Sequence, residues 1–507
     1  MAADPIELLV DHACRVDFAD LPAVAVEAAQ RGLIDTVGAA IVGLDNPLAV
    51  ITRQMVTEAA GRMEATVWGG GLAVPASAAA FTNTIAGRCR ELDDVHEGSP
   101  LIGIGHGGHV SVMVVPAVLA VAQSLPRPVS GQEVLTAIAV GSDIIPRLRM
   151  AAGRSGRLGW EAPTVAPFGI AAAVGRLYGL SRSAMANAMG AAYAQCAGNV
   201  QGTEDGAWDV WLSAGLAARA GVTAADLARR GHHGTGAPLL GRAGLYPLYF
   251  RGEYHPEALT TGLGRGFEGA NLTCKIYSSC KYTHSAISAV IELARRHGLT
   301  PGDIERIEVG TNQDELRVVG LDAAGQPKRR PESVGAAQFS LPFVLALALV
   351  KGGVFLDTLT SETLDDPVVL DLADRVVLTL AEDKTAQLAN QGYPADDVAI
   401  RTRDGQVFSQ PASQPQGHPA NPLSFDQVVA KFERCCDLAA TPPSRRARDR
   451  FIQAVADLPT SPDTRRLVAD LWEDTEPSAR PPVGGTAFVG GSLAAGRLTP
   501  RPIDDVA

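Results

Sequence analysis

DVAIRTRDGQVFS, residues 397–409, alternates apolar and polar side chains on both sides of an Asp404-Gly405 turn. That is the period of a half-buried hairpin, not of a helix. IERIEVG (304–310) and DRVVLTLAED (374–383) alternate in the same way, with helical stretches at 283–297 and 336–350 lying among them. Residues 272–415 therefore read as an α+β unit inserted in a chain of another kind.

On either side of this unit the period is helical. Residues 20–235 are rich in Ala, Leu, Val and Gly, as in PAVAVEAAQRGLIDTVGAAIVG (22–43), PASAAAFTNTIAGRC (75–89) and GQEVLTAIAVGSDIIPRL (131–148). Small residues on more than one face let helices approach closely, which predicts a thick bundle. PLSFDQVVAKFERCCDLA (422–439) returns to the helical period behind Ser424, a candidate N-cap. The expected fold is mainly α: a large helical domain in two pieces, 1–271 and 416–475, a smaller α+β domain at 272–415, and a Pro/Gly-rich tail at 476–507.

Composition narrows the function classes. The 507 residues carry 44 Lys and Arg against 55 Asp and Glu, a formal charge of −11, and no basic block stands out. No nucleic-acid partner is expected from such a balance. The longest apolar runs, MVVPAVLAVA (113–122) and LPFVLALALV (341–350), are about half of the roughly 20 residues a bilayer requires, so no membrane partner is expected either. The N-terminus lacks a basic segment followed by an apolar one, which makes the cytoplasm the expected location. Seven scattered cysteines without a CxxC pair suggest neither a disulfide framework nor a zinc ribbon.

Two stretches carry chemistry. ELDDVHEGSPLIGIGHGGHVSV (91–112) gathers Asp93, Asp94, His96, His106 and His109. These are metal-ligand types, but His106 and His109 flank two glycines, unlike the one-face spacing of HExxH. Proton transfer and a solvated polar loop are the other readings. CKIYSSCKYTHSAISAVIEL (274–293) places Lys275, Tyr277, Lys281, Tyr282 and His284 before a helix, a set suited to carboxylate binding and proton transfer.

Taken in order, ELDDVH, HVS and PAVLAVAQ (91–123), AGLAARAGVTAADLARRG (214–231), KIYSSCKYTHSAISA (275–289), AAQFSLPFVLALALVKGG (336–353) and NPLSFDQVVAKF (421–432) resemble the MmgE/PrpD family. That family includes 2-methylcitrate dehydratases, cis-aconitate decarboxylases and iminodisuccinate epimerases. The resemblance spans roughly residues 5–475. It implies a helical domain with an α+β lid, an active site in the cleft between them, a homodimer, and no metal or organic cofactor. It places Asp93, Asp94 and His109 on the helical side of the cleft and Lys275 and His284 on the lid side.

The sequence departs from the family pattern twice. WEAPTVAPFG (160–169) has Ala162 where a His commonly precedes the Thr, and VWLSAG (210–215) has Val210 and Ser213 where a Lys and a His are common. An apolar wall including Trp211 is expected there, with Glu204, Asp205 and Asp209 as local replacements. Arg147 is a candidate carboxylate clamp, with a structural ion pair as its alternative. Tyr277, Cys280 and Lys281 complete the expected substrate-binding set, and Cys280 as a nucleophile is a weaker reading.

The expectation is an acid/base lyase of dehydratase or decarboxylase type acting on a small carboxylic acid. An isomerase or epimerase on the same scaffold is the first alternative, and a non-catalytic binding or scaffold protein the second.

Overall fold

The computed structural model describes residues 4–473 except 60, 71, 103–106, 205–206, 323, 385–395 and 412. The tail at 476–507, His106 and Asp205 therefore lie outside the described residues, as does the side chain of Glu204. The fold is mainly α. Helices Ala23–Gly43, Ala76–Arg88, Ser111–Ser124, Gly131–Ala151, Ala166–Leu177 and Asp209–Arg229 build the helical body. Their Ala and Gly content lets backbones meet. A Cβ on Gly215 would lie 2.7 Å from the carbonyl oxygen of Phe81, so Asp209–Arg229 can sit against Ala76–Arg88 only with glycine there. Among the described residues, no single helix is long and apolar enough to cross a membrane.

Helix ends follow their sequence signals. Ser130 accepts from the Glu133 amide at 3.3 Å, and Glu133 accepts in return from the Ser130 amide at 2.9 Å, opening the long helix Gly131–Ala151. Ser424 caps Phe425–Leu438 by accepting from the Gln427 amide at 3.2 Å. This last helix packs on Ala23–Gly43 at the other end of the chain, burying Val428, Phe432, Cys435 and Cys436.

A separate apolar core serves the α+β part. Its four strands run in the order Val376–Leu380, Ile304–Thr311, Asp397–Thr402, Val407–Gln410. The first pair is parallel and the other two antiparallel. Ile304, Ile307, Val309, Val398 and Ile400 are buried with Ile287, Val290 and Leu293 of helix His284–His297 and Val344 and Leu347 of helix Leu341–Lys351. The Asp404-Gly405 turn closes the hairpin, with Gly405 at φ +89°.

A short antiparallel ladder joins the two chemistry-bearing segments. Val95 pairs with Thr273 and His96 with Leu272, while the other edge of His96 bridges Gly108. The first motif is thereby fixed directly beside the start of the second.

Candidate active site

Arg88 is the last residue of helix Ala76–Arg88. The chain then turns at Glu91, whose φ of +51° is rare for a residue with a Cβ. Such a conformation persists only when the surroundings hold it, and here three side chains do so. Glu91 pairs with Arg88, accepts from the Lys275 ammonium at 2.8 Å and from the Trp211 indole at 3.3 Å, and is buried among them. Burial raises its pKa, but the cations Arg88 and Lys275 outweigh that and bring it down to about 2.

His109 stands beside this cluster. Its Nδ1 lies 2.7 Å from Asp93 Oδ2 and its Nε2 lies 3.0 Å from Arg88 Nη2. A guanidinium can only donate, so Nε2 accepts and Nδ1 carries the proton given to Asp93: as arranged, the imidazole is the neutral Nδ1–H tautomer. Burial alone would raise the Asp93 pKa, yet the cations Arg88 and Lys275 and the hydrogen bond from His109 hold it far below the usual carboxylate range. Asp93 is thus a fixed anion that orients the ring. Gly108, at φ +79°, brings the ring in; a Cβ there would lie 2.5 Å from that of Ala162.

A cleft of about 140 Å³ opens at His109. The helical body contributes Arg88, Glu91, Arg149, Glu161 and Val210 to its walls, and the α+β lid contributes Cys280, Lys281, Tyr282, Arg317 and Lys328. Lys281 pairs with Glu97 at 2.9 Å.

The expected site residues divide accordingly. His109, Cys280 and Lys281 line the cleft. Asp93, Lys275 and Trp211 stand behind it, acting on His109, Glu91 or both. Asp94 turns the other way. Its Oδ1 accepts from the Ser111 amide at 3.0 Å, it borders a small hollow with Asp35 and Cys274, and burial pushes its pKa up to about 7. His284 is fully buried, its Nε2 3.3 Å from the Ser279 carbonyl and its Nδ1 without a hydrogen-bond partner. Burial, with Lys281 and Lys275 nearby, drives its pKa well down, so it is neutral. Tyr277 shares a 3.2 Å hydrogen bond with Ser288 and sets its ring edge against His284, outside the cleft lining.

Arg147 requires correction as a clamp. Its guanidinium is buried, bonded to Asp143 at 2.9 Å and to the carbonyls of Thr261 and Gly266 at 2.8 and 2.9 Å, which leaves it the structural ion pair. Cys280 as a nucleophile also fails: burial raises the thiol to about 11, which suppresses the thiolate. Among the local replacements, Asp209 is exposed and outside the cleft lining. Among the described residues, no three His, Cys, Asp or Glu side chains converge as metal ligands. At His109 a cation already occupies the Nε2 direction.

Arg88, Glu91, Arg149, Glu161, Arg317 and Lys328 were not nominated from the sequence. GRCRELDD (87–94) does contain a signal, since Arg88, Glu91 and Asp93 form a run of opposite charges that a helix end could fold upon itself. Arg317 and Lys328 lie in segments with no motif.

A helical body joined to an α+β part, each with an apolar core of its own, is a two-domain plan shared by a known family. The chain belongs to it: the MmgE/PrpD N-terminal domain matches residues 7–257 and the MmgE/PrpD C-terminal domain residues 277–458. Among curated relatives, the chain is similar to a cis-aconitate decarboxylase of Aspergillus terreus, 28% identical over 82% of this chain and 85% of the relative. A human cis-aconitate decarboxylase is 27% identical over 80% and 82%. The cis-aconitate decarboxylase-like protein oryM of Aspergillus oryzae is 26% identical over 89% and 93%.

Proposed function

We propose that the protein is a lyase acting on a small carboxylic acid, by proton transfer at a carbon beside a carboxylate and without a metal or organic cofactor. The observation that carries this reading is the His109 imidazole, held between Asp93 and Arg88 at the wall of the cleft. The names of its relatives support a carboxy-lyase.

A substrate carboxylate arriving at Arg88 draws the guanidinium away from Nε2 and exposes that lone pair to the substrate carbon. Nε2 then takes a proton, and the buried Asp93 anion stabilises the imidazolium formed. In a decarboxylation the ring instead enters protonated from solvent: as carbon dioxide departs, the electron pair of the broken C–C bond takes the Nε2 proton to form the new C–H bond, and the neutral imidazole is left. Arg317 and Lys328 of the lid supply positive charge for the remaining carboxylate. Lys275 and Trp211 hold Glu91, and Glu91 holds Arg88. We further propose that the protein works as a homodimer in the cytoplasm.

An isomerase reading is favoured by one observation. Lys281 and Tyr282 of the α+β part line the same cleft as His109, and proton exchange on two faces of one carbon needs two such groups.

The test is proton NMR in deuterated water with a panel of di- and tricarboxylates that includes cis-aconitate, with and without chelator. Product or deuterium incorporation that survives the chelator and vanishes in His109→Ala supports the reading, and product mass separates lyase from isomerase. Activity that persists undiminished in His109→Ala refutes it.

A further inference from the structure

The cleft is chemically lopsided. From the lid, Lys281, Arg317 and Lys328 line it with Asp314 as the lid's acid there. Lys281 pairs with Glu97 at 2.9 Å, Arg317 with Asp314 at 4.0 Å, and Lys328 donates to the Val318 carbonyl at 2.8 Å, so three cations meet one lid acid at the cleft. From the body, the acids are Glu91 and Glu161. Glu91 is already matched, by Arg88 and by Lys275 at 2.8 Å. Arg149 donates at 2.6 Å to the carbonyl of Trp160. Glu161 is different: the Arg88 guanidinium acts on it only through space, and its hydrogen-bond partner is a neutral one, the Thr203 hydroxyl, 3.3 Å from Oε1.

The segment carrying Glu161 is firmly built. The Trp160 ring stacks on Tyr249 with centroids 4.8 Å apart, the Glu161 amide donates to the Gly198 carbonyl, and Thr164 Oγ1 donates to the same carbonyl at 2.7 Å. Ala162 meets Gly108, next to His109. Glu161 is therefore a pre-placed acceptor, one residue from the contact that seats the imidazole.

From this arrangement we infer that Glu161 sets substrate choice: the substrate directs a carboxylate to the lid cations and a hydrogen-bond donor, a hydroxyl or an ammonium, to Glu161. A further carboxylate at that position meets a fixed like charge and is rejected. The substrate class is thus a small hydroxy or amino acid in preference to a tricarboxylate. This inference rests on the acid/base reading of the same cleft.

The experiment compares kcat/KM, from product formation or deuterium exchange, for malate and aspartate against succinate and cis-aconitate. Wild-type protein is expected to favour a donor-bearing acid by about 10-fold to 100-fold, the scale of one charge-assisted hydrogen bond. Malate against aspartate tells hydroxyl from ammonium. Glu161→Gln is expected to remove most of that preference, chiefly through KM. Glu161→Lys is expected to raise kcat/KM for cis-aconitate, a gain that misfolding cannot produce. The inference is overturned if wild type prefers cis-aconitate or if neither variant changes the order. Reaction without preference sinks it alone, whereas no reaction with any of the four compounds sinks the acid/base reading along with it.

Discussion

The Lys275 ammonium lies 2.8 Å from the Glu91 carboxylate, with both side chains buried, so a residue at the lid entrance reaches the body through an ion pair and not through the substrate. Removing one partner leaves a buried charge under-compensated, Glu91 with Arg88 alone or Lys275 with Asp93 at 3.9 Å. Lys275→Met and Glu91→Gln should each destabilise the fold by about 3–5 kcal/mol, whereas the double variant should recover part of that loss. Urea unfolding of these three variants and the wild type checks this; strictly additive losses would refute the pairing.

His109 and Asp93 should separate in their kinetics. His109→Ala removes the proton-transfer group and should lower kcat by about 10²–10⁴. Asp93→Asn keeps the ring but can anchor the other tautomer, so kcat should fall with KM little changed. An Asp93→Asn enzyme with wild-type kcat would show that the ring needs no anchor.

Asp94 should make stability fall with rising pH. Its pKa, raised to about 7 by burial, stands above the unfolded value near 4. The folded state therefore keeps a proton that the unfolded chain has released. The associated stability is complete below pH ~4 and lost as pH rises towards 7, on the order of 4 kcal/mol in all. Asp94→Asn should flatten this slope, as denaturant midpoints between pH 4 and 8 would reveal; an unchanged slope would assign it elsewhere.

Cys280 should be chemically quiet although it lines the cleft. With its thiol raised to about 11, iodoacetamide at pH 7.5 should modify it slowly. Cys280→Ser should retain kcat within about one order of magnitude, since no covalent step passes through sulfur. Rapid inactivation, protected by substrate, would reverse this view.

Arg147→Met should cost stability and spare recognition. The guanidinium answers Asp143 and two carbonyls, and its loss should destabilise by about 3–5 kcal/mol while the folded fraction keeps its KM. A raised KM with intact stability would restore the clamp.

The α+β part was legible because strand period and turn chemistry are local: the alternation around Asp404-Gly405 does become a hairpin. Ser424 was legible for the same reason. The site was legible only in part. Asp93 and His109 sit in one motif, but which residues face the cleft depends on distant partners. Lys275 turns inward because Glu91 waits there, and Arg147 because the carbonyls of Thr261 and Gly266 do. Arg317 and Lys328 reach the cleft through tertiary packing that no local spacing encodes.

The ladder between Val95–His96 and Leu272–Thr273 has a consequence for the order of assembly. Its partners lie far apart in the chain, and Lys431, in one of the last helices, donates to the Leu92 carbonyl at 2.6 Å inside the same motif. On the ribosome the N-terminal helices can collapse early, but the acid-imidazole cluster lacks Lys275, and the backbone beside it lacks Lys431, until those residues have emerged. The last contact that fixes this motif is therefore made by a residue 339 positions further along the chain.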